Sequence, residues 1–293
     1  MTDFCSKLVV FTDLDGTLLD RATCSYAAAM PALELLRRKN IPMVFCSAKT
    51  MAEQEVYRKE LGIFDPFIVE NGSAIFVPHG YFPFDFDYDR IIGNYSVIEL
   101  GIPYHEVRAI LGRTRAEIGI DFKGFGDMSP EEVAKETGLD LDMAQRAKER
   151  EYDETLKLEG TQEMINRVLT TIKKEGLNYA HGGAYYDVMK GNDKGKAATI
   201  LIELFRRKLD KIQTIGLGDS LNDQPLLSNV DIPILVKKPG GQWEEMELSS
   251  LRRMEGIGPE GWRQAIEELI GQTRRISYVQ SPDDKQIFRD AIY

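Results

Sequence analysis

Short apolar runs that alternate with helix-length amphipathic stretches constrain the fold of this chain more than any other feature. Residues 8–11 precede a helical pattern at 25–39, residues 42–46 precede one at 51–61, and the run 67–69 closes the first third. Strands this short, joined by crossovers of that length, pair in parallel, and helices then cover both faces of the sheet. The same order returns late in the chain. A helix at 194–206, a strand at 212–217, a short helix after Asp223, a strand at 232–236 and a helix at 260–270 are expected there. The fold class is therefore α/β, with a doubly wound, Rossmann-like parallel sheet. Between Tyr81 and Tyr186 the pattern changes to aromatic and acidic loops, helices at 143–150 and 162–174, and strand-like stretches at 152–158 and 177–180. This reads as an inserted α+β cap at 85–186, which divides the core into 1–84 and 187–293. The tail 276–293 carries no pattern that assigns it.

Ligands of open parallel sheets bind at the carboxyl ends of the strands. Asp13, Ser47, Asn71 and Asp219 each follow an apolar run, so the fold gathers them on one edge although they are far apart in sequence. The densest chemistry is in Val9-Val10-Phe11-Thr12-Asp13-Leu14-Asp15-Gly16-Thr17, where a buried strand delivers two carboxylates. Alternation puts Asp13 and Asp15 on the same side, and Gly16 permits a sharp departure. Such a pair can hold a cation. Asp-Gly is also an ordinary turn signal, so the run alone leaves turn chemistry open.

The formal charge of -10, from 47 acids against 37 bases, argues against a nucleic-acid surface, which needs a concentrated basic face. An anionic substrate would have to meet a local positive site made of a cation, a few Lys or Arg side chains and helix amino termini. Cys5, Cys24 and Cys46 show no paired spacing, which suits a reducing compartment. Neither a signal-peptide pattern nor a run of the ~20 apolar residues needed to span a bilayer is present. The expectation is a cytoplasmic protein that acts on a small molecule, without nucleic-acid or membrane partners. His79, His105 and His181 lack metal-ligand spacing, which disfavours zinc.

Asp13-Leu14-Asp15-Gly16-Thr17, Phe45-Cys46-Ser47, Lys194 within Gly191-Asn192-Asp193-Lys194-Gly195-Lys196, and Ile215-Gly216-Leu217-Gly218-Asp219-Ser220-Leu221-Asn222-Asp223 occur in the order of the four motifs of haloacid-dehalogenase-like phosphatases, which this chain resembles over nearly its whole length. The resemblance implies that Asp13 attacks phosphorus, that Asp15 is the acid/base, and that Ser47 and Lys194 bind the phosphoryl group. It also implies Mg²⁺ held by Asp13, the Asp15 carbonyl and Asp219, with Asn222 and Asp223 orienting its waters. The strings 47–50, 70–76, 150–154 and 181–183 are similar to those of a narrower branch, the mannosyl-3-phosphoglycerate phosphatases. That branch adds Lys49, Asn71, Arg150, Glu151, Asp153, His181, Gly182 and Gly183 as candidate substrate contacts. Ala184 and Leu221 stand where the branch would have Arg and Pro.

The residues themselves leave other readings open. Ser47 and Lys49 sit where a helix starts and can serve its amino end, Lys194 can be solvated, 150–153 can be a surface charge run, and Asn71-Gly72 and Gly182-Gly183 can be tight turns. The expected function is a Mg²⁺-dependent phosphatase that releases mannosylglycerate and phosphate from mannosyl-3-phosphoglycerate through an aspartyl-phosphate. The glucosyl analogue, a wider range of sugar phosphates, and a non-catalytic module that accepts phosphate on Asp13 are the alternatives.

Overall fold

A computed structural model describes residues 7–279, with side chains as far as 271. The first strand, β1 (Lys7–Thr12), is buried from Val9 onward and feeds α1 (Met30–Arg38), whose Ala32, Leu33 and Leu36 face inward at helical spacing. β2 (Met43–Phe45) lies parallel to β1, from Val10 opposite Met43 to Thr12 opposite Phe45. α2 (Met51–Leu61) opens on a capping box, in which Thr50 accepts from the Glu53 amide and Glu53 accepts from the Thr50 amide, an arrangement that contributes about 1 kcal/mol. It ends on Gly62 at φ 61°. β3 (Phe67–Val69) then meets the β2 end through a parallel bridge between Cys46 and Ile68.

From there the chain turns back. β4 (Ala74–Pro78), β5 (Arg90–Ile92) and β6 (Tyr95–Glu99) form an antiparallel sheet in the order β3-β4-β6-β5. β5 and β6 fall within the stretch 85–186 expected for the cap, yet β6 pairs with β4 on the core side and carries β5 at its outer edge. The reason is local: the two-residue turn at Gly93, with φ 55°, closes a hairpin whose nearest open edge is β4.

The inserted region holds α3 (Tyr104–Ile118), β7 (Lys123–Gly124), α4 (Pro130–Thr137), α5 (Leu141–Ala147), β8 (Glu154–Lys157), α6 (Gln162–Lys174), β9 (Asn178–Gly182) and β10 (Tyr185–Met189). Its sheet runs β7-β8-β10-β9, all antiparallel, and α3 and α6 bury Val107, Leu111, Val168 and Ile172 against Leu156 and Val188. The sequence reading did not include α3, although Val107, Ile110, Leu111 and Ile118 are spaced for one helical face. α5 begins earlier than expected because Asp140 accepts from the Met143 amide and caps it.

After the insertion come α7 (Lys194–Leu209), β11 (Ile212–Gly218), α8 (Gln224–Leu227), β12 (Ile232–Lys237), β13 (Arg252–Ile257) and α9 (Pro259–Val279). The completed sheet is β13-β12-β11-β1-β2, parallel throughout. Val10 packs with Leu33, Trp262 and Ile266 on one face, while Val9 and Phe11 pack with Ala197, Leu201 and Phe205 on the other. The α/β core with an α+β insertion is thus the observed architecture. No helix among the described residues is long and apolar enough to cross a membrane. Most of the tail 276–293 lies outside the described residues.

Candidate active site

The carboxyl ends of β1, β2 and β11 meet at one cavity of about 370 Å³, within the range of small-molecule sites, and the insertion roofs it. Asp13, Asp15, Ser47, Lys49, Asp219 and Asn222 line the floor, and Arg150, Thr155, Gly182, Gly183, Tyr185 and Asp187 line the roof. Buried Lys194, the first residue of α7, lies under the floor. Its Nζ is 2.7 Å from Asp13 Oδ1 and 2.6 Å from Asp223 Oδ1. Two carboxylates therefore share one ammonium. Burial, with Asp223 alongside, pushes the Asp13 carboxyl up to about 6, against the pull of Lys194. The lysine is held above its ordinary range because the two acids outweigh the burial that opposes its charge.

Asp223 uses both oxygens within the protein, since Oδ2 also accepts the amides of Asp219 and Ser220 at 2.9 and 3.1 Å. This fixes the loop that presents Asp219. Asp219 Oδ2 accepts from Arg21 at 2.8 Å, while its buried Oδ1 has no partner. Burial raises the Asp219 carboxyl although Arg21 opposes the shift. Carboxylate oxygens of Asp13, Asp219 and Asp223 lie within 4.8 Å of one another. An orphaned buried oxygen beside all-oxygen donors fits a hard divalent cation. With Asp223 saturated, Asp13 and Asp219 are the carboxylates open to it.

On the opposite side of the floor, Asp15 Oδ2 is 3.0 Å from Lys49 Nζ, which also contacts Glu53 Oε1 at 3.3 Å. Burial opposes the Lys49 charge, yet these acids hold it well above its ordinary range. The capping box of α2 therefore also steadies a site lysine. Buried Ser47 accepts from the Lys49 amide at 3.3 Å, so it serves the turn and lines the cavity at once. Asn71 sits at φ 55° and donates to Asp187 Oδ2 at 2.9 Å, and it accepts from Asn222 at 3.3 Å. Gly72 follows at φ 91°, where a Cβ would come within 2.2 Å of the Asp193 carbonyl oxygen; the turn is what allows α7 to approach.

The roof is tied down by buried polar groups. Arg150 Nε bonds Asp153 Oδ1 at 2.5 Å and its Nη2 donates to the Ala48 carbonyl at 2.9 Å, while Thr50 Oγ1 donates to the Arg146 carbonyl at 2.9 Å. Glu70, at φ 46°, accepts the amides of Glu151, Tyr152 and Asp153. Four of the expected substrate contacts, Asn71, Glu151, Asp153 and His181, do not line the cavity. The Glu151 side chain pairs with Arg90 at 2.5 Å, and His181 stacks on Tyr186 with ring centroids 4.3 Å apart; neither lines the cavity. Strand alternation explains His181, since the adjacent Gly182 reaches the wall, and the chain then turns at Gly183. Asp153 stands behind Arg150, and Asn71 behind Asp187 and Asn222, to which they are bonded.

Several wall residues escaped the sequence reading. Arg21 signals itself only as a base six residues beyond Asp15, Tyr185 and Phe125 form an edge-to-face pair with centroids 5.6 Å apart, and Asp187 accepts from Thr155 at 2.7 Å. Tyr185 and Asp187 share β10, but Arg21 and Phe125 arrive from distant turns, so no short string unites all four.

A family profile of haloacid dehalogenase-like hydrolases matches residues 10–85. A glucosyl-3-phosphoglycerate/mannosyl-3-phosphoglycerate phosphatase of Methanococcoides burtonii is 49% identical over 271 residues, covering 92% of this chain and all of that one. A mannosyl-3-phosphoglycerate phosphatase of Pyrococcus furiosus is 39% identical over 231 residues, covering 78% of this chain and 90% of the relative. A sucrose-phosphatase of Synechocystis, solved with sucrose and phosphate, shares the fold at a TM-score of 0.59 and 18% identity, covering 90% and 98% of the two chains. The chain belongs to the haloacid dehalogenase-like hydrolases. Within that class it is a member of the mannosyl-3-phosphoglycerate phosphatase family, and so a phosphoric monoester hydrolase.

Proposed function

We propose that this protein hydrolyses mannosyl-3-phosphoglycerate to mannosylglycerate and phosphate. The observation that carries the reading is the meeting of Asp13, Asp15, Ser47 and Asp219 on one roofed cavity, with Lys194 bonded to Asp13 beneath. The name of the relative that is 49% identical favours the glucosyl ester as a second substrate. The sugars differ in one hydroxyl orientation.

A phosphate monoester resists attack because nucleophile and phosphoryl group are both negative, so a site must neutralise charge and align the displacement. In this reading an Asp13 oxygen bonds to phosphorus as the bond to the leaving oxygen breaks, and Asp15 passes a proton to that oxygen. Asp15 then takes a proton from water, whose oxygen attacks phosphorus and frees Asp13 and phosphate. Lys194 keeps Asp13 oriented and lends positive charge to the phosphoryl group, and Ser47 donates its hydroxyl to it. Asp13, the Asp15 carbonyl and Asp219 would hold Mg²⁺, which supplies charge neutralisation when bound. Asp223 holds the Asp219 loop and Asn222 reaches the seam. Lys49, Arg150 and the Gly182-Gly183 turn would meet the glycerate and sugar, with Asn71 behind them steadying Asp187 and Asn222. The unpaired thiols of Cys24 and Cys46 suit a cytoplasmic setting.

The test is phosphate release with Mg²⁺ from mannosyl-3-phosphoglycerate, its glucosyl analogue and glucose 6-phosphate. Preference for the first two is expected. Equal rates on all three would replace the reading with a general sugar phosphatase, and a stable phospho-Asp13 without release would replace it with a phosphate-accepting module.

A further inference from the structure

Arg21 occupies an unexpected place. Its Nη2 donates to the Asp15 carbonyl at 3.1 Å and to Asp219 Oδ2 at 2.8 Å, and it lies 3.5 Å from Ser220 Oγ. Two of the three groups proposed to hold the cation thus already hold a guanidinium. Asp219 Oδ1 is free for the cation, but a cation held by it and by the Asp15 carbonyl would stand within a few ångström of the guanidinium, where their repulsion amounts to several kcal/mol even in a partly screened site. That repulsion favours departure of Arg21 when the cation arrives.

The remaining bases of the cavity would each keep an acid that the cation does not need. Lys49 keeps Glu53, Arg150 keeps Asp153, and Lys194 keeps Asp223. Arg21 has Asp219, which it would surrender. Its side chain is one-third exposed and carried on a loop, so it can move. The direction of movement is also marked. A Cβ on Gly183 of the roof would lie 2.8 Å from Arg21 Nη1, so the guanidinium already spans from the floor to the roof.

We propose that Arg21 is an exchange group, which holds Asp219 and the Asp15 carbonyl until a divalent cation takes them and then binds the carboxylate of the phosphorylated substrate at the seam between floor and roof. The second half rests on the functional reading above. A planar guanidinium matches a carboxylate through two parallel hydrogen bonds, and a phosphoglycerate places a carboxylate close to the phosphoryl group. Arg21 is then a specificity residue whose availability depends on the cation.

The experiment uses the full chain as wild type, Arg21→Gln and Arg21→Lys, with melting curves to show that all are folded. Mn²⁺ binding is titrated by electron paramagnetic resonance without substrate. Arg21→Gln is expected to bind Mn²⁺ about 10-fold more tightly than wild type, a typical size for coupled sites, and Arg21→Lys to fall nearer wild type. Equal or weaker binding by Arg21→Gln overturns the exchange. The ratio of KM for mannosyl-3-phosphoglycerate to KM for p-nitrophenyl phosphate, which lacks a carboxylate, is then compared; a rise of about 10-fold in Arg21→Gln supports the carboxylate contact. An unchanged ratio overturns it. Wild-type enzyme that ignores the glycerate ester would sink the functional reading and the carboxylate contact together, whereas the Mn²⁺ titration would still decide the exchange.

Discussion

The floor and roof of the cavity are built from different chemistry. The floor is a lattice of charges at strand ends: four acids, Asp13, Asp15, Asp219 and Asp223, face three bases, Lys49, Lys194 and Arg21, with each carboxylate paired to one of them. The roof offers Tyr185 and Phe125, two glycines, and one buried Arg150 tied to Asp153 and to a floor carbonyl. The buried part of that lattice, Lys194 between Asp13 and Asp223, cannot shift without leaving unpaired groups, which would suit it to a fixed reaction, whereas Arg21 is one-third exposed and can move. An aromatic and glycine-lined roof can be reshaped by substitution at small cost, which makes it suited to selecting the group attached to phosphate. The floor belongs to the parallel core and the roof to the insertion.

The largest break in that comparison comes from Asp13→Asn, expected to lower turnover by about 10⁴-fold or more in a phosphate-release assay while circular dichroism stays native. Retained turnover would remove Asp13 as nucleophile. Lys194→Met should cost roughly 3–5 kcal/mol in urea unfolding, because it leaves two buried carboxylates without their ammonium. A loss below 1 kcal/mol would show that the floor is less coupled than its geometry implies. On the roof, Tyr185→Ala removes one half of an aromatic pair that lines the cavity. The ratio of KM for the sugar-glycerate ester to KM for p-nitrophenyl phosphate should rise about 5-fold, a change of about 1 kcal/mol, and an unchanged ratio would deny the roof its selecting role.

The smallest effect lies away from the cavity. Burial opposes the Asp127 charge, but hydrogen bonds from Arg108 and Arg115 hold its carboxyl far below the usual range. A carboxyl with a depressed folded pKa contributes stability that is complete above its unfolded value of about 4 and is lost as pH falls below it. Wild type should therefore exceed Asp127→Asn by roughly 1 kcal/mol in urea unfolding at pH 7, with the gap narrowing below about pH 4. A gap independent of pH would assign the effect to packing.

Much of the floor was legible in the sequence because each of its parts is local. An apolar strand followed by Asp13 and Asp15, a helix whose first residue is Lys194, and a strand that ends in Asp219 are each contained within a few residues. Alternation and helix capping then fix where their side chains emerge. The helix 104–118 was missed although its spacing is regular, and strands β5 and β6 were placed with the insertion because a boundary between segments has no local signature when the hairpin folds back onto an earlier strand.

The amino-acid order by itself determined the alternation of strands and helices, the parallel core and the acids at its edge, since these depend on period, length and turn residues. Tertiary structure alone decided that Lys194 is shared between Asp13 and Asp223, that Glu70 clamps three roof amides, that His181 faces away, and that Arg21 rests on Asp219. Asp13 and Lys194 are 181 residues apart and Arg21 and Asp219 are 198 apart. Contacts across such distances follow from how packed layers set strand ends against one another in a burial that leaves few polar groups without a partner.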